Sequence, residues 1–290
     1  MNYRHHFHAG NFADVMKHAL LARLVIALQK KEKGFLYLDT HAGSGSYDLT
    51  VAAQGDTLAR QPEHPQGIGR LWARSDLPPA LEDYVALVRK FDRDRGNAAA
   101  TPRFYPGSPW IVRLLARPQD RLVLCEKHPE EFELLDITLS REPRVSVQQR
   151  DGYGALRALL PPPEKRALVL IDPPFEEPDE FKRMVTAVGE GLVRLPGAVC
   201  ALWYPLTERA KVDAFFDALR SMNLPPALVC ELRVVGEESS VKLKGCGLVV
   251  INPPWQLDRE AQPLLEWLAD ALAQEKGSRA DCWWLVPEAD

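Results

Sequence analysis

Two stretches of this sequence close an apolar run with an acid or amide, two prolines and an aromatic ring: LVLIDPPFEEP, whose acid is Asp172, and LVVINPPWQLD, centred on Asn252. The first could do chemistry on an amino group. An exocyclic amino nitrogen on a nucleobase is a poor nucleophile because its lone pair is spread into the ring, so acceptors set against its hydrogens favour the charge that develops as it attacks an electrophile. The carboxylate of Asp172 and the carbonyl of Pro173 can be those acceptors. Neither proline has an N–H to compete for them. Phe175 adds a flat face on which a base can stack.

The acid is one of a series. HAGSG, carrying Gly43 and Gly45, follows the apolar run FLYLD but lacks the third glycine of a full dinucleotide fingerprint, since Asp48 stands there. By itself such a loop reads equally as a tight turn. Three further apolar runs also end in carboxylates: LVLCE at Glu126, VSVQQRDG at Asp151 with Gly152, and ALVLID at Asp172. Singly, each would read as a solvated carboxylate in a turn. In an open α/β sheet, however, ligands bind outside the carboxyl ends of the parallel strands, so these ends define one crevice. Its layout suits S-adenosylmethionine (SAM). Glu126 would take the ribose hydroxyls, Asp151 and Gly152 the adenine edge, and the loop from His41 to Gly45 the methionine end.

The elements that must position these residues alternate. FLYLD, LVLCEKH, VSVQQRDG, ALVLIDPPF, AVCALWYPL and ALVCELRVV read as strands, separated by helical stretches such as FKRMVTAVGEGLVRL and ERAKVDAFFDALRSM. Alternation of this kind implies a parallel sheet covered on both faces. One segment breaks it. Between Gly45 and the helix expected to open at Ser108 lies a stretch rich in helix formers and proline, whereas the ribose acid normally follows a glycine loop by about 20 residues. Removing residues 51–104 brings Glu126 close to that spacing. They are therefore expected to form an inserted helical subdomain, with 1–50 and 105–290 making the main domain. GLVVINPPW follows six strands expected to be parallel and takes the place of the antiparallel last core strand. Asn252 then points away from the crevice and reads as a structural turn.

NFADVMKHALLARLVIALQKKEKG reads as an amphipathic helix capped by Asn11 and stopped by Gly34. Through Gly34 the chain carries Arg4, Lys17, Arg23, Lys30, Lys31 and Lys33 against Asp14 and Glu32, although its net charge is −4. Two readings remain open. The positive end either touches an anionic polymer or is a solvated helix whose basic C-terminal end suits the helix dipole. His5, His6, His8 and His18 invite a metal reading, with Asp14 and His18 spaced i,i+4, but a basic aromatic arm of Tyr3, Arg4 and Lys17 lying over the cofactor and touching substrate is preferred.

A chain of 290 residues, 46% hydrophobic, can bury a sizeable core. No run approaches the ~18 apolar residues of a membrane span, and MNYRHHFHAG lacks the apolar core of a signal peptide, so a cytoplasmic protein is expected. The five cysteines are dispersed, mostly in apolar runs, and read as reduced thiols without a metal.

Taken together, YRHHFHAGNFADVMKH, FLYLDTHAGSGSYDL, YPGSPWIVRLL, LIDPPF, ALWYP and VVINPPW resemble, in order, the segments of the RlmJ family of bacterial 23S rRNA adenine-N6 methyltransferases. The resemblance spans essentially the whole chain. It implies a Rossmann-like SAM-dependent methyltransferase with a seven-stranded, mostly parallel sheet, acting as a monomer on one adenine in the peptidyl-transferase region of rRNA free of most ribosomal proteins. It further implies that His18, His41, Ser108, Glu126, Asp151, Gly152 and Asp172 contact the cofactor, that Asp172 is the catalytic acid and that Tyr3 meets the substrate. Phe175 stands where the family commonly has tyrosine, and His6 where it often has a small polar residue. Two alternatives stay open: methylation of adenine N6 in DNA, and a non-catalytic nucleic-acid-binding protein of DNA uptake or use.

Overall fold

The computed structural model describes residues 7–53 and 61–288, so Tyr3, Arg4, His5 and His6 lie outside the described residues. A single sheet organises the chain. Its strands are β1 (Leu36–Asp39), β4 (Arg121–Glu126), β5 (Val145–Gln149), β6 (Ala167–Ile171), β7 (Val199–Pro205), β8 (Ala227–Arg233), β9 (Gly245–Ile251) and β10 (Arg279–Val286), in the order β10-β8-β9-β7-β6-β1-β4-β5. β1 pairs in parallel with both β4 and β6, with Asp39 level with Leu124 and Leu170. The strand order therefore reverses at β1, which is where an open α/β sheet leaves its crevice. β9 runs antiparallel between β7 and β8, as expected for GLVVINPPW.

The sheet has eight strands, not seven. β10 adds antiparallel to β8 at the edge, and its residues are mostly half-buried, so the sequence RADCWWLV shows no clean alternation.

Helices cover both faces because successive strand residues point to opposite sides. In β1, Tyr37 enters a core built with α1 (Phe12–Gln29), α5 (Ser108–Leu115) and α10 (Leu257–Ala271), while Leu36 and Leu38 enter a second core with α7 (Gly152–Leu159), α8 (Glu180–Arg194) and α9 (Arg209–Arg220). Pro129 to Leu139 form α6, whose Leu135 and Leu139 join the first core.

The N-terminal helix departs from expectation. Asn11 caps α1 as read, its side chain accepting from the Asp14 N–H at 2.9 Å, but the helix stops at Gln29, before Gly34. Nor is it amphipathic: 14 of its 18 residues are buried. A helix that is apolar nearly all round belongs inside a protein. Here it packs among α5, α10, β9 and α4 (Pro79–Asp94).

Residues between Gly45 and Ser108 begin and end in a two-stranded antiparallel ribbon, β2 (Ser46–Asp48) with β3 (Phe104–Pro106). Short helices α2 (Leu49–Ala53) and α3 (Ile68–Leu71) and the longer α4 lie between. Ile68, Leu81, Tyr84 and Val88 share the core of α1, so these helices are fastened to the main body by burial.

Candidate active site

A cavity of about 870 Å³ opens over the carboxyl ends of β1, β4, β6 and β7. Its floor is set by glycines. Gly43 has φ +57°, a conformation that L side chains rarely adopt, and a Cβ there would meet the Tyr47 hydroxyl at 2.5 Å. Gly152 opens α7 so close to the end of β1 that a Cβ would lie 1.9 Å from the Thr40 carbonyl oxygen. Gly45, expected to touch cofactor, is not on the cavity wall. Its carbonyl accepts from the Gly107 N–H at 2.8 Å, and its place is to fold the loop back toward α5.

Glu126, at the end of β4, ties this loop down. One carboxylate oxygen accepts from the Gly43 N–H at 2.8 Å and the other from the His128 N–H at 2.7 Å. The side chain is buried, and desolvation raises its pKa. Glu126 also lines the cavity. Asp151 caps α7 by accepting from the Tyr153 N–H at 3.0 Å and lies 3.3 Å from Arg183.

Beneath the loop sits a polar network centred on Asp39. Its carboxylate accepts from the Ser108 hydroxyl at 2.6 Å, the Tyr37 hydroxyl at 2.7 Å and the His41 N–H at 3.3 Å. Burial pushes its pKa up to about 6. Burial acts oppositely on His41, whose pKa falls to about 4, so its ring is neutral at pH 7. The ring rests edge-on to Tyr153. His18 lines the same cavity, its Nδ1 2.8 Å from the Tyr105 hydroxyl, which lies 2.8 Å from that of Tyr84.

Asp172 lies at the end of β6 with Pro173, Pro174 and Phe175 along the wall. Its Oδ2 accepts from Lys17 Nζ at 2.5 Å, and Lys17 also reaches Asp14 at 2.8 Å. Lys17 is 5% exposed. Burial alone would lower its pKa, but the two carboxylates more than offset this and hold it well above 10.5. The lysine thus corrects one expectation: it belongs to no phosphate-attracting surface, because its charge is enclosed between two acids. Arg23 is likewise committed, to Glu260 at 2.7 Å. Phe175 has φ +50°, strained for a residue with a side chain. Its ring is wedged edge-on against Phe181 and Trp203, at 4.9 and 5.8 Å.

Asn252 is elsewhere, as expected. It adopts φ +53° and donates through Nδ2 to the carbonyls of Pro196 and Ala198, both at 2.8 Å. Asn tolerates this left-handed turn better than most residues. The expected site residues within the described structure, Gly45 apart, all line the one cavity. Sequence reasoning passed over Asp39 and weighed Asp14 only as a metal ligand. Asp39 stands at the end of LYLD, as Asp172 stands after ALVLI, and that shared position was a readable signal. Among the described residues no cluster of His, Cys, Asp or Glu could hold a metal; His8 pairs with Glu63, and His18 with Tyr105.

The residues fit a cofactor that is part nucleoside and part cation. Glu126 ends β4 on the cavity wall, glycine clears the approach, and His128 Nδ1 and Glu131 Oε2 on the wall have no partner among the described residues.

The strand order, the antiparallel β9 and the acid-lined crevice define a Rossmann-like α/β protein of the methyltransferase kind. The family described as "RsmJ: Ribosomal RNA large subunit methyltransferase D, RlmJ" matches residues 32–286. The chain belongs to that family. It is 39% identical over 288 residues to "Ribosomal RNA large subunit methyltransferase J" of Escherichia coli (strain K12), covering 99% of this chain and 100% of that one. The protein of the same name from Haemophilus influenzae is 38% identical over the same shares. A crystal structure of a Legionella pneumophila protein aligns with a TM-score of 0.84 and 34% identity, over 95% of this chain and 98% of that one.

Proposed function

We propose that the protein transfers a methyl group from SAM to N6 of an adenine in 23S rRNA, within the peptidyl-transferase region of the large subunit. The observation that carries this reading is Asp172. It stands in the same cavity as the glycine loop and Glu126, with one carboxylate oxygen fixed by Lys17 and the other left for a substrate donor. The names of the curated relatives support rRNA over DNA as the polymer.

SAM supplies an electrophilic methyl group when bound. Glu126 would accept from the ribose hydroxyls, Asp151 and Gly152 would border the adenine edge, and His18, His41, Gly43 and Ser108 would surround the methionine end, with Gly45 shaping the loop. The target adenine lies against Phe175. Asp172 and the Pro173 carbonyl would accept from its amino hydrogens, so the nitrogen lone pair would be more available to the methyl group that SAM would supply. The proton that the methylated nitrogen must lose would pass to solvent at the mouth of the cavity. Lys17 holds Asp172 in place rather than touching phosphate, and Tyr3 and Arg4 meet the RNA. Residues 51–104 act as a subdomain that orients it. The protein works as a cytoplasmic monomer on rRNA free of most ribosomal proteins; no helix among the described residues is long and apolar enough to cross a membrane.

The test is mass spectrometry of 23S rRNA from cells with and without the gene, paired with methylation of protein-free rRNA and duplex DNA by the purified enzyme. Loss of one N6-methyladenine in the deletion, and activity on rRNA alone, is the expected result. Activity confined to DNA would overturn the substrate.

A further inference from the structure

A second cavity, of about 180 Å³, lies beside the first and shares Thr207 with it. Its wall consists of Leu206, Thr207, Arg209, Arg233, Glu237 and Lys244. They come from the end of β7, the start of α9, the end of β8 and the turn into β9, so the site sits on the same edge of the sheet as Asp172. Three cations face one acid there.

The state of those cations points to a ligand. The Arg233 side chain is 8% exposed and donates through Nη1 to Glu237 at 2.9 Å. Its Nε, however, is buried with no hydrogen-bond partner among the described residues. A buried charged donor without an acceptor is costly, and a native structure rarely keeps one without use. Lys244 donates to the neutral backbone carbonyl of Glu237, and among the described residues it has no ion pair with a carboxylate. Arg209 pairs with Asp213 and Glu231, but it opens α9, a helix of 12 residues whose N-terminal dipole favours an anion.

We propose that this cavity is a phosphate subsite that takes a backbone phosphate of the RNA strand flanking the base held at Asp172. The inference rests on the function proposed above and adds to it where the strand runs. A strand that delivers a base to an acidic cavity needs cations next to that cavity for its phosphates. The Arg233 guanidinium and Lys244 Nζ stand on one wall, where a tetrahedral anion can bridge the two side chains.

The full-length protein should be tested with a 23S rRNA fragment and with inorganic phosphate, using Lys244→Gln, Arg233→Gln and the control Lys90→Gln, whose lysine already pairs with Asp94. Lys244→Gln should weaken rRNA binding several-fold at low salt and flatten the dependence of log affinity on log salt by about 0.7 to 0.9, the signature of one lost phosphate contact. SAM affinity should not change, and Lys90→Gln should behave as wild type. If Arg233→Gln melts well below wild type, Lys244→Gln carries the test alone. An unchanged salt slope in Lys244→Gln overturns the subsite. Thermal stabilisation of wild type by inorganic phosphate, absent in Lys244→Gln but with equal RNA slopes, would mean a free-phosphate site and overturn the RNA assignment. A wild-type enzyme that binds no rRNA would remove the proposed function itself, whereas normal rRNA methylation with an unchanged slope would remove only the subsite.

Discussion

Asp172 and Asn252 occupy equivalent places in two copies of one motif, and their surroundings separate them. Asp172→Ala should leave a folded protein that binds SAM but transfers methyl groups on the order of 100-fold more slowly or worse, the typical cost of a lost preorganised group. Single-turnover assays check this, and near-normal turnover would sink the mechanism. Asn252→Ala loses two hydrogen bonds and puts alanine at positive φ, so it should cost about 1–3 kcal/mol of stability with catalysis intact. Glu126→Ala should weaken SAM binding much more than RNA binding in calorimetry, because it removes the ribose acceptor and releases the Gly43 loop together. His41 adds a pH dependence. Its folded pKa of about 4 lies below the ordinary 6.5, so the stability associated with the neutral ring is complete above pH 6.5. It is then lost as pH falls toward 4, since the unfolded chain takes up a proton that the folded one refuses. His41→Asn should therefore flatten the thermal midpoint between pH 7 and pH 5; an unchanged profile would contradict the neutral ring.

At the scale of elements, legibility followed burial pattern. Most of the parallel strands were readable because they are apolar runs ending at a polar residue, and so was the crevice, since a strand end fixes where its last side chain stands. β10 was not, because an edge strand half-covered by solvent carries no clear period. α1 misled differently. Asp14 pairs with Lys17 one turn away, but Lys17 and Arg23, which suggest a wet face, are satisfied across the fold by Asp172 and Glu260. Pairings of that kind join residues far apart in sequence, so spacing cannot reveal them. The burial of α1 has a measurable consequence: Leu24 is 0% exposed, and Leu24→Ala should cost about 2–5 kcal/mol in denaturant unfolding, a core value. A cost below about 0.5 kcal/mol, typical of surface sites, would mean that α1 is peripheral.

For the molecule as a whole, the question is how a chain of net charge −4 holds a polyanion. Cations in the helices between β2 and β3 are largely spent within the fold. Arg74 pairs with Asp76, Lys90 with Asp94 and Arg103 with Asp48, while Arg70 donates to the carbonyls of Ala271 and Ala273. A cation already paired releases little when phosphate arrives, because binding must first break its existing ion pair. These helices should therefore shape the path of the RNA more than they attract it. Among the described residues Lys244 donates to a backbone carbonyl rather than to a carboxylate, and the sequence before Phe7 carries Arg4. Accordingly, Arg74→Ala with Lys90→Ala should leave both rRNA affinity and its salt slope unchanged. Tyr3→Ala with Arg4→Ala should cut rRNA methylation strongly, leave SAM affinity nearly constant, and reduce the slope by roughly 0.7 to 0.9 for the one phosphate contact of Arg4. Salt-titrated binding of one rRNA fragment to both double variants decides between them. If the helix variant loses slope and the N-terminal variant does not, the RNA lies across the helices, and their ion pairs open to receive it.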